Sequence, residues 1–241
     1  MTARTALVTG ANRGSGLAIA TALHEAGWRV LALNRTPAGL PWLRERVVDL
    51  GRPGEVAAAV DELLAELADE DGGGDGDGLD AVVANAVDRA FGTVATLSPA
   101  AWQRALDVNL TSAVALVQAA LPRLRAGAGG RIVLMGSHAG SRYFEGGGSY
   151  CATKAALKAL AEVLLLEERE HGVVTTLVSP GAIANLPGDS SEFKMSTESV
   201  GSTVRWLLEA PADLAVGEIE LRPARLPGSL PVTGLDRLQA V

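Results

Sequence analysis

The chain has 241 residues, 48% hydrophobic and 20% charged, with a formal net charge of −7. That length and composition suit one well-filled core, so a single domain over 1–241 is expected, and an acidic chain without a Lys/Arg run excludes a surface that tracks nucleic-acid phosphates. The single cysteine, Cys151, permits no internal disulfide, the first residues carry no long apolar segment, and no uninterrupted apolar run reaches bilayer length; a reducing cytoplasm and no membrane partner are expected.

The first apolar run, "TALVT" (5–9), reads as a strand and leads into "TGANRGSG", with glycines at 10, 14 and 16, then into the helical pattern "GLAIATALHEAG". Strand, glycine turn and helix in that order are the context in which a dinucleotide's pyrophosphate binds. Gly10, Gly14 and Gly16 permit the tight turn and close backbone approach, and Asn12, Arg13 and Ser15 lie within contact range of the same ligand. The next strand, "RVLAL" (29–33), is followed by Asn34 and Arg35, where an acid would grip a free ribose 2′-hydroxyl and an arginine would accept a 2′-phosphate. With Arg13 able to reach the same phosphate, NADP(H) is expected over NAD(H).

A third strand is expected at "RVV" (46–48), then the helix "GEVAAAVDELLAELA". The segment "DEDGGGDGDG" (69–78) has nothing to bury and is expected to be a flexible surface loop. It lacks the closing glutamate and the length of a calcium loop, so no metal is expected. Strands follow at "LDAVVA" (79–84), "RIVLM" (131–135), "VVTTLV" (173–178) and "GEIEL" (217–221). Helical patterns separate them in "LTSAVALVQAALPRLRAG", "KAALKALAEVLLLEERE" and "ESVGSTVRWLLEA". Strand alternating with helix predicts an α/β fold, a doubly wound, Rossmann-type parallel sheet of about seven strands with helices on both faces. Ligands then bind beyond the carboxyl ends of the strands. Tyr150 and Lys154 in "YCATK" stand four apart at a helix start, so their polar heads share one face, either as a solvated pair or as a catalytic one.

Taken in order, "TGANRGSG", "ANA" (84–86), "DVNLTS" (107–112), "GSHAG" (136–140), "YCATK" and "SPGAIAN" (179–185) resemble the short-chain dehydrogenase/reductase family. The likeness runs from Thr5 to about Asn185 and more loosely through the last helix and strand. It implies that Tyr150 is the proton donor, Lys154 its partner, Ser137 the serine that orients substrate, and Asn109 the asparagine of a proton relay. It also implies that Asp49 and Leu50 contact adenine and that Asn85 and Ala86 wall the adenosine ribose. Pro180, Gly181 and Ile183 would seat the carboxamide, with Tyr150 and Lys154 also touching the cofactor. Asn185 stands where a threonine usually bonds that carboxamide. The implied activity is NADPH-dependent reduction of a ketone to a secondary alcohol, with the Lys154 ammonium favouring the Tyr150 phenolate. Alternatives are an alcohol dehydrogenase running oxidatively and a non-catalytic NADP sensor.

Ser15 and Val87 depart from the family's usual residues, an apolar branched one and a glycine respectively. The segment 186–196 is much shorter than the lid many relatives carry, which predicts an open cleft for bulky or carrier-bound ketones. Tyr143 and Phe144 in "RYFEGGG" are expected to form the other wall, with His138 either touching substrate or serving only its loop. The proline-containing tail 222–241 is expected to be irregular and to pack on a neighbouring subunit, since the resemblance implies a homodimer or homotetramer.

Overall fold

Seven short apolar runs pair in one parallel sheet in a computed structural model, which describes residues 3–70, 78–127, 129–186, 188–189 and 191–225. The strands are β1 (Thr5–Thr9), β2 (Arg29–Asn34), β3 (Arg44–Val47), β4 (Ala81–Ala84), β5 (Arg131–Met135), β6 (Val174–Pro180) and β7 (Glu218–Leu221). Their order is β3-β2-β1-β4-β5-β6-β7, so the chain winds outward from β1 to one edge and then back past it to the other. The reversal between β1 and β4 is the switch point at which such sheets open a ligand crevice. β1, β4 and β5 are buried throughout, as strands covered on both faces must be.

The helices are α1 (Gly14–Glu25), α2 (Val56–Glu70), α3 (Pro99–Leu106), α4 (Ser112–Ala126), α5 (Gly148–Glu167) and α6 (Thr197–Leu208). Leu63, Leu67, Leu116, Leu124 and Leu157 fill the core between the sheet and α2, α4 and α5. Ile19, Leu23, Val200, Val204 and Leu207 fill the core between the opposite face and α1 and α6. α6 approaches α1 so closely at Gly201 that a Cβ there would stand 2.5 Å from the Ala18 carbonyl oxygen. Arg131, buried at the head of β5, donates to the carbonyls of Ala210, Pro211 and Leu214 and so closes the end of α6 onto the sheet.

Two expectations need correction. The third strand starts earlier than 46–48, because Arg44 and Glu45 pair with Leu31 and Ala32. As an edge strand β3 has one neighbour and a polar side, which an apolar run does not reveal. The helix α3 was not expected; the Ser98 hydroxyl accepts from the Ala101 N–H at 3.2 Å, and Pro99 occupies its first turn. It continues through a π-turn at Asp107–Thr111 into α4, making one helix from Pro99 to Ala126 that is long and apolar enough to cross a membrane. Here Leu116, Val117, Ala120 and Leu124 bury it against α2 and the sheet, so its apolar length serves the core. Residues 71–77 of the expected Gly/Asp loop, 187 and 190 of the short lid, and 226–241 of the tail lie outside the described residues.

Candidate active site

The turn after β1 has the backbone a bound diphosphate requires. Gly10 and Gly14 sit at φ +69° and +54°, and a Cβ on Gly16 would stand 2.0 Å from the Gly10 carbonyl oxygen. Asn85, at the end of β4, donates from Nδ2 to the Thr9 carbonyl at 3.0 Å, while the Asn85 and Ala86 N–H groups both donate to the Thr9 hydroxyl. These bonds pin the ends of the two strands at the switch point, so Asn85 shapes the crevice as well as walling it. Arg13 is extended at the head of α1 and its side chain makes no cap there. The free N–H of Ser15 is met instead by Asn185, whose Oδ1 accepts it at 2.9 Å. An acceptor oxygen seated on a helix N-terminus between glycines is what a phosphate oxygen would be, so the residues present fit a dinucleotide.

Arg13 in the glycine turn and Arg35 just beyond β2 are exposed, and among the described residues neither side chain makes a hydrogen bond or ion pair. Asn12 donates from Nδ2 to the Thr36 hydroxyl at 2.7 Å, joining the glycine turn to the loop beyond β2. Buried Asn34 donates to Glu45 Oε2 at 2.7 Å, and the Ala38 and Gly39 N–H groups donate to the same carboxylate. A carboxylate therefore does stand beside the end of β2, contrary to the reading of the sequence there. It comes from the neighbouring strand, and these donors hold its pKa below the ordinary value against the opposing effect of burial. Leu50 is buried beneath the next turn, and Asp49 is gripped by Arg104, which donates from Nη1 to Oδ2 at 3.2 Å and from Nη2 to Oδ1 at 3.1 Å. That guanidinium holds the Asp49 carboxyl below the usual carboxylate range. Arg104 also reaches Asp88 Oδ2 at 3.2 Å, linking the loops after β3 and β4.

Deeper in, Lys154 is buried and donates from Nζ to the Met135 carbonyl at 2.6 Å. Burial, reinforced by the positive charge of Arg89, lowers its pKa to about 7. Nζ lies 5.8 Å from the Tyr150 ring centroid. Ser137 follows Met135 by two residues, caps the turn His138–Gly140, and accepts the Ala139 N–H at 3.2 Å. Its own hydroxyl hydrogen is left free to donate. That turn leans on α5, where a Cβ on Gly140 would meet the Lys154 carbonyl oxygen at 2.8 Å. Asn109 does not cap a helix but lies buried in the π-turn. It accepts the Asp88 N–H at 2.6 Å and donates to the Asp88 carbonyl at 2.9 Å and the Thr153 hydroxyl at 3.2 Å. It thus clamps the loop after β4 to the helix that carries Tyr150 and Lys154.

Over Tyr150 stands a ring the sequence did not single out. Phe91 meets Tyr150 edge to face at 5.8 Å between centroids and Phe144 at 5.9 Å, yet remains 55% exposed. Gly92 bridges to Gly147 and fixes this loop beside the start of α5. Phe144 therefore joins the wall, whereas Tyr143 is 69% exposed and stands out in solvent. His138 packs on Gly181, and its Nε2 lies 3.0 Å from Glu220 Oε1 without hydrogen-bond alignment. Burial lowers its pKa. Pro180 and Gly181 end β6, with the Gly181 N–H donating to the Leu221 carbonyl, and Ile183 bridges to Met195 at the root of the short segment before α6. Sequence signals for Phe91 and Arg104 existed as an exposed aromatic and a helix cation, but nothing local tied either to the site.

A family model described as short chain dehydrogenase matches residues 4–192. An uncharacterized oxidoreductase of Staphylococcus aureus is 31% identical over 232 residues, covering 92% of this chain and 98% of that protein. Among solved structures, an alcohol dehydrogenase from the archaeon Thermococcus sibiricus, complexed with 5-hydroxy-NADP, superposes with a TM-score of 0.78 at 27% identity, covering 94% of this chain and 99% of that one. A serine dehydrogenase from Escherichia coli superposes with a TM-score of 0.77 at 27% identity, covering 91% and 97%.

Proposed function

The chain belongs to the short-chain dehydrogenase family, and on that footing we propose that it is an NADPH-dependent reductase of ketones that forms secondary alcohols. The observation that carries the reading is Lys154 drawn into the core onto Met135, one helical turn from Tyr150 and two residues' reach from Ser137, at the carboxyl ends of the strands. When bound, the nicotinamide supplies the hydride. Tyr150 delivers the hydroxyl proton to the oxygen of the carbonyl as charge collects there. Ser137 steadies that oxygen with the hydrogen its Ala139 contact leaves free, a bond that strengthens toward the transition state. Lys154 holds a proton at Nζ that exchanges near neutral pH, and Asn109 keeps its helix in register with the loop after β4.

The preference for NADPH rests on Arg13 and Arg35, two unpaired guanidiniums, one in the glycine turn and one just beyond β2, and on the engagement of the Glu45 carboxylate by its own donors. NADH is the second reading, favoured by that same carboxylate should it release them. Phe91 and Phe144 support a substrate with a flat apolar part, and the short segment 186–196 supports a bulky or carrier-bound one. Self-association is supported by a groove between α4 and α5 with an apolar floor of Val114, Val117, Leu121, Leu160 and Leu164 beside the polar Gln118, Arg125, Glu167 and Glu168, and by exposed Val163 and Leu166 on α5. A reducing cytoplasm remains the proposed compartment for the lone, buried Cys151.

The test is NADPH oxidation against ketones of graded size. Turnover that falls sharply with NADH is expected, and Arg35→Asp should narrow the gap between the coenzymes. Equal use of both by the native chain would remove the arginine part of the proposal.

A further inference from the structure

We propose that Asn185 is a built-in competitor of the cofactor's pyrophosphate, its side-chain amide standing in for a phosphate oxygen until the dinucleotide displaces it. The inference rests on the reading of the glycine turn as the pyrophosphate site. Asn185 Oδ1 accepts the Ser15 N–H at 2.9 Å and lies 3.5 Å from the Ser15 hydroxyl, although 170 residues separate the partners. It also fills the space over Gly14, where a Cβ would stand 2.0 Å from Oδ1. α1 has no cap from its own Arg13, so Asn185 supplies the cap from across the crevice. The amide and a phosphate oxygen therefore need the same donor and the same volume. The phosphate prevails because its bond is charge-assisted and the helix dipole favours an anion, but only after Asn185 has left.

Asn185 does not move alone. Its N–H donates to the Ile183 carbonyl, Ala184 donates to Met195, and Met195 donates back to Ala182, so a clasp holds it at the root of segment 186–196. Within that segment Lys194 pairs with Asp189 at 2.9 Å, with both side chains largely shielded.

The experiment measures equilibrium and stopped-flow binding of NADPH to the full-length wild type, Asn185→Ala and Asn185→Asp, with thermal midpoints of the cofactor-free proteins. Removing one neutral hydrogen bond from the free state should tighten NADPH roughly two- to tenfold and speed its association in Asn185→Ala. Asn185→Asp, a charged cap on the same N–H, should bind NADPH more weakly than wild type while melting higher without cofactor. Affinity and cofactor-free stability should thus run in opposite orders across the three proteins. Weaker binding with faster dissociation in Asn185→Ala would overturn the inference, because the amide would then be a cofactor contact. So would identical affinity and rates in all three. A wild type that binds neither NADPH nor NADH would overturn both this inference and the reading beneath it, whereas a wild type that binds normally beside an unresponsive Asn185→Ala removes only the competitor.

Discussion

Among the described residues Lys154 bonds the Met135 carbonyl and no carboxylate, so burial draws its pKa from 10.5 to about 7. Because the folded value lies below the unfolded one, the unfolded chain holds the extra proton between those values, and stability rises with pH through that window. The slope from this residue is at most about 1.4 kcal/mol per pH unit. Lys154→Met should therefore gain most over wild type below pH 7 and lose that gain toward pH 10, read as the difference in thermal midpoint across a pH series. A difference that does not vary with pH would show that the ammonium is not desolvated. Tyr150→Phe keeps the ring that Phe91 packs on but removes the proton, so turnover should fall by about 10²–10⁴-fold while NADPH still binds. Normal turnover by that variant would show that Tyr150 is not the proton donor.

The π-turn at Asp107–Thr111 sets the depth of Asn109, and that depth lets one amide bond both groups of Asp88 and the Thr153 hydroxyl. Asn109→Ala leaves those groups without their partner, which should cost about 1–3 kcal/mol and lower the thermal midpoint accordingly. Recovery of the wild-type midpoint in this variant would mean that the clamp carries no stability. At the other end of the crevice, Gly16→Ala would press a methyl against the Gly10 carbonyl and Asn85, and should weaken NADPH binding along with the fold. The elements built from contiguous apolar residues were legible in the sequence: β1 and β5 begin and end where their runs do, because a strand buried on both faces is apolar through its middle, with polar residues only at its ends. β3 and α3 were less so, since an edge strand and a helix started by Ser98 and Pro99 draw on polar side chains that spacing does not weigh. Ser137, Tyr150 and Lys154 could be named from their motifs, whereas the Asn185 contact to Ser15, the Arg104 grip on Asp49 and the Glu45 carboxylate beside Asn34 could not. Each of these joins segments that meet only after the sheet has assembled, and no local pattern encodes them.

For the whole molecule, α5 exposes Val163 and Leu166, apolar side chains that water covers poorly if the chain stays alone. Light scattering should find a dimer or tetramer, and Leu166→Glu should shift it toward the monomer; an unchanged assembly would move the interface elsewhere. All other expectations depend on the crevice at the β1–β4 switch point delivering a nicotinamide to the face of Tyr150. The most direct measurement is mass spectrometry of the product formed when NADPH deuterated at the transferring position is incubated with a ketone that the protein reduces. Wild type should place one deuterium on the carbinol carbon, and Tyr150→Phe should form that labelled alcohol about 10²–10⁴-fold more slowly. Product without deuterium would contradict hydride transfer from the coenzyme, and labelling by Tyr150→Phe at the wild-type rate would contradict Tyr150 as the proton donor.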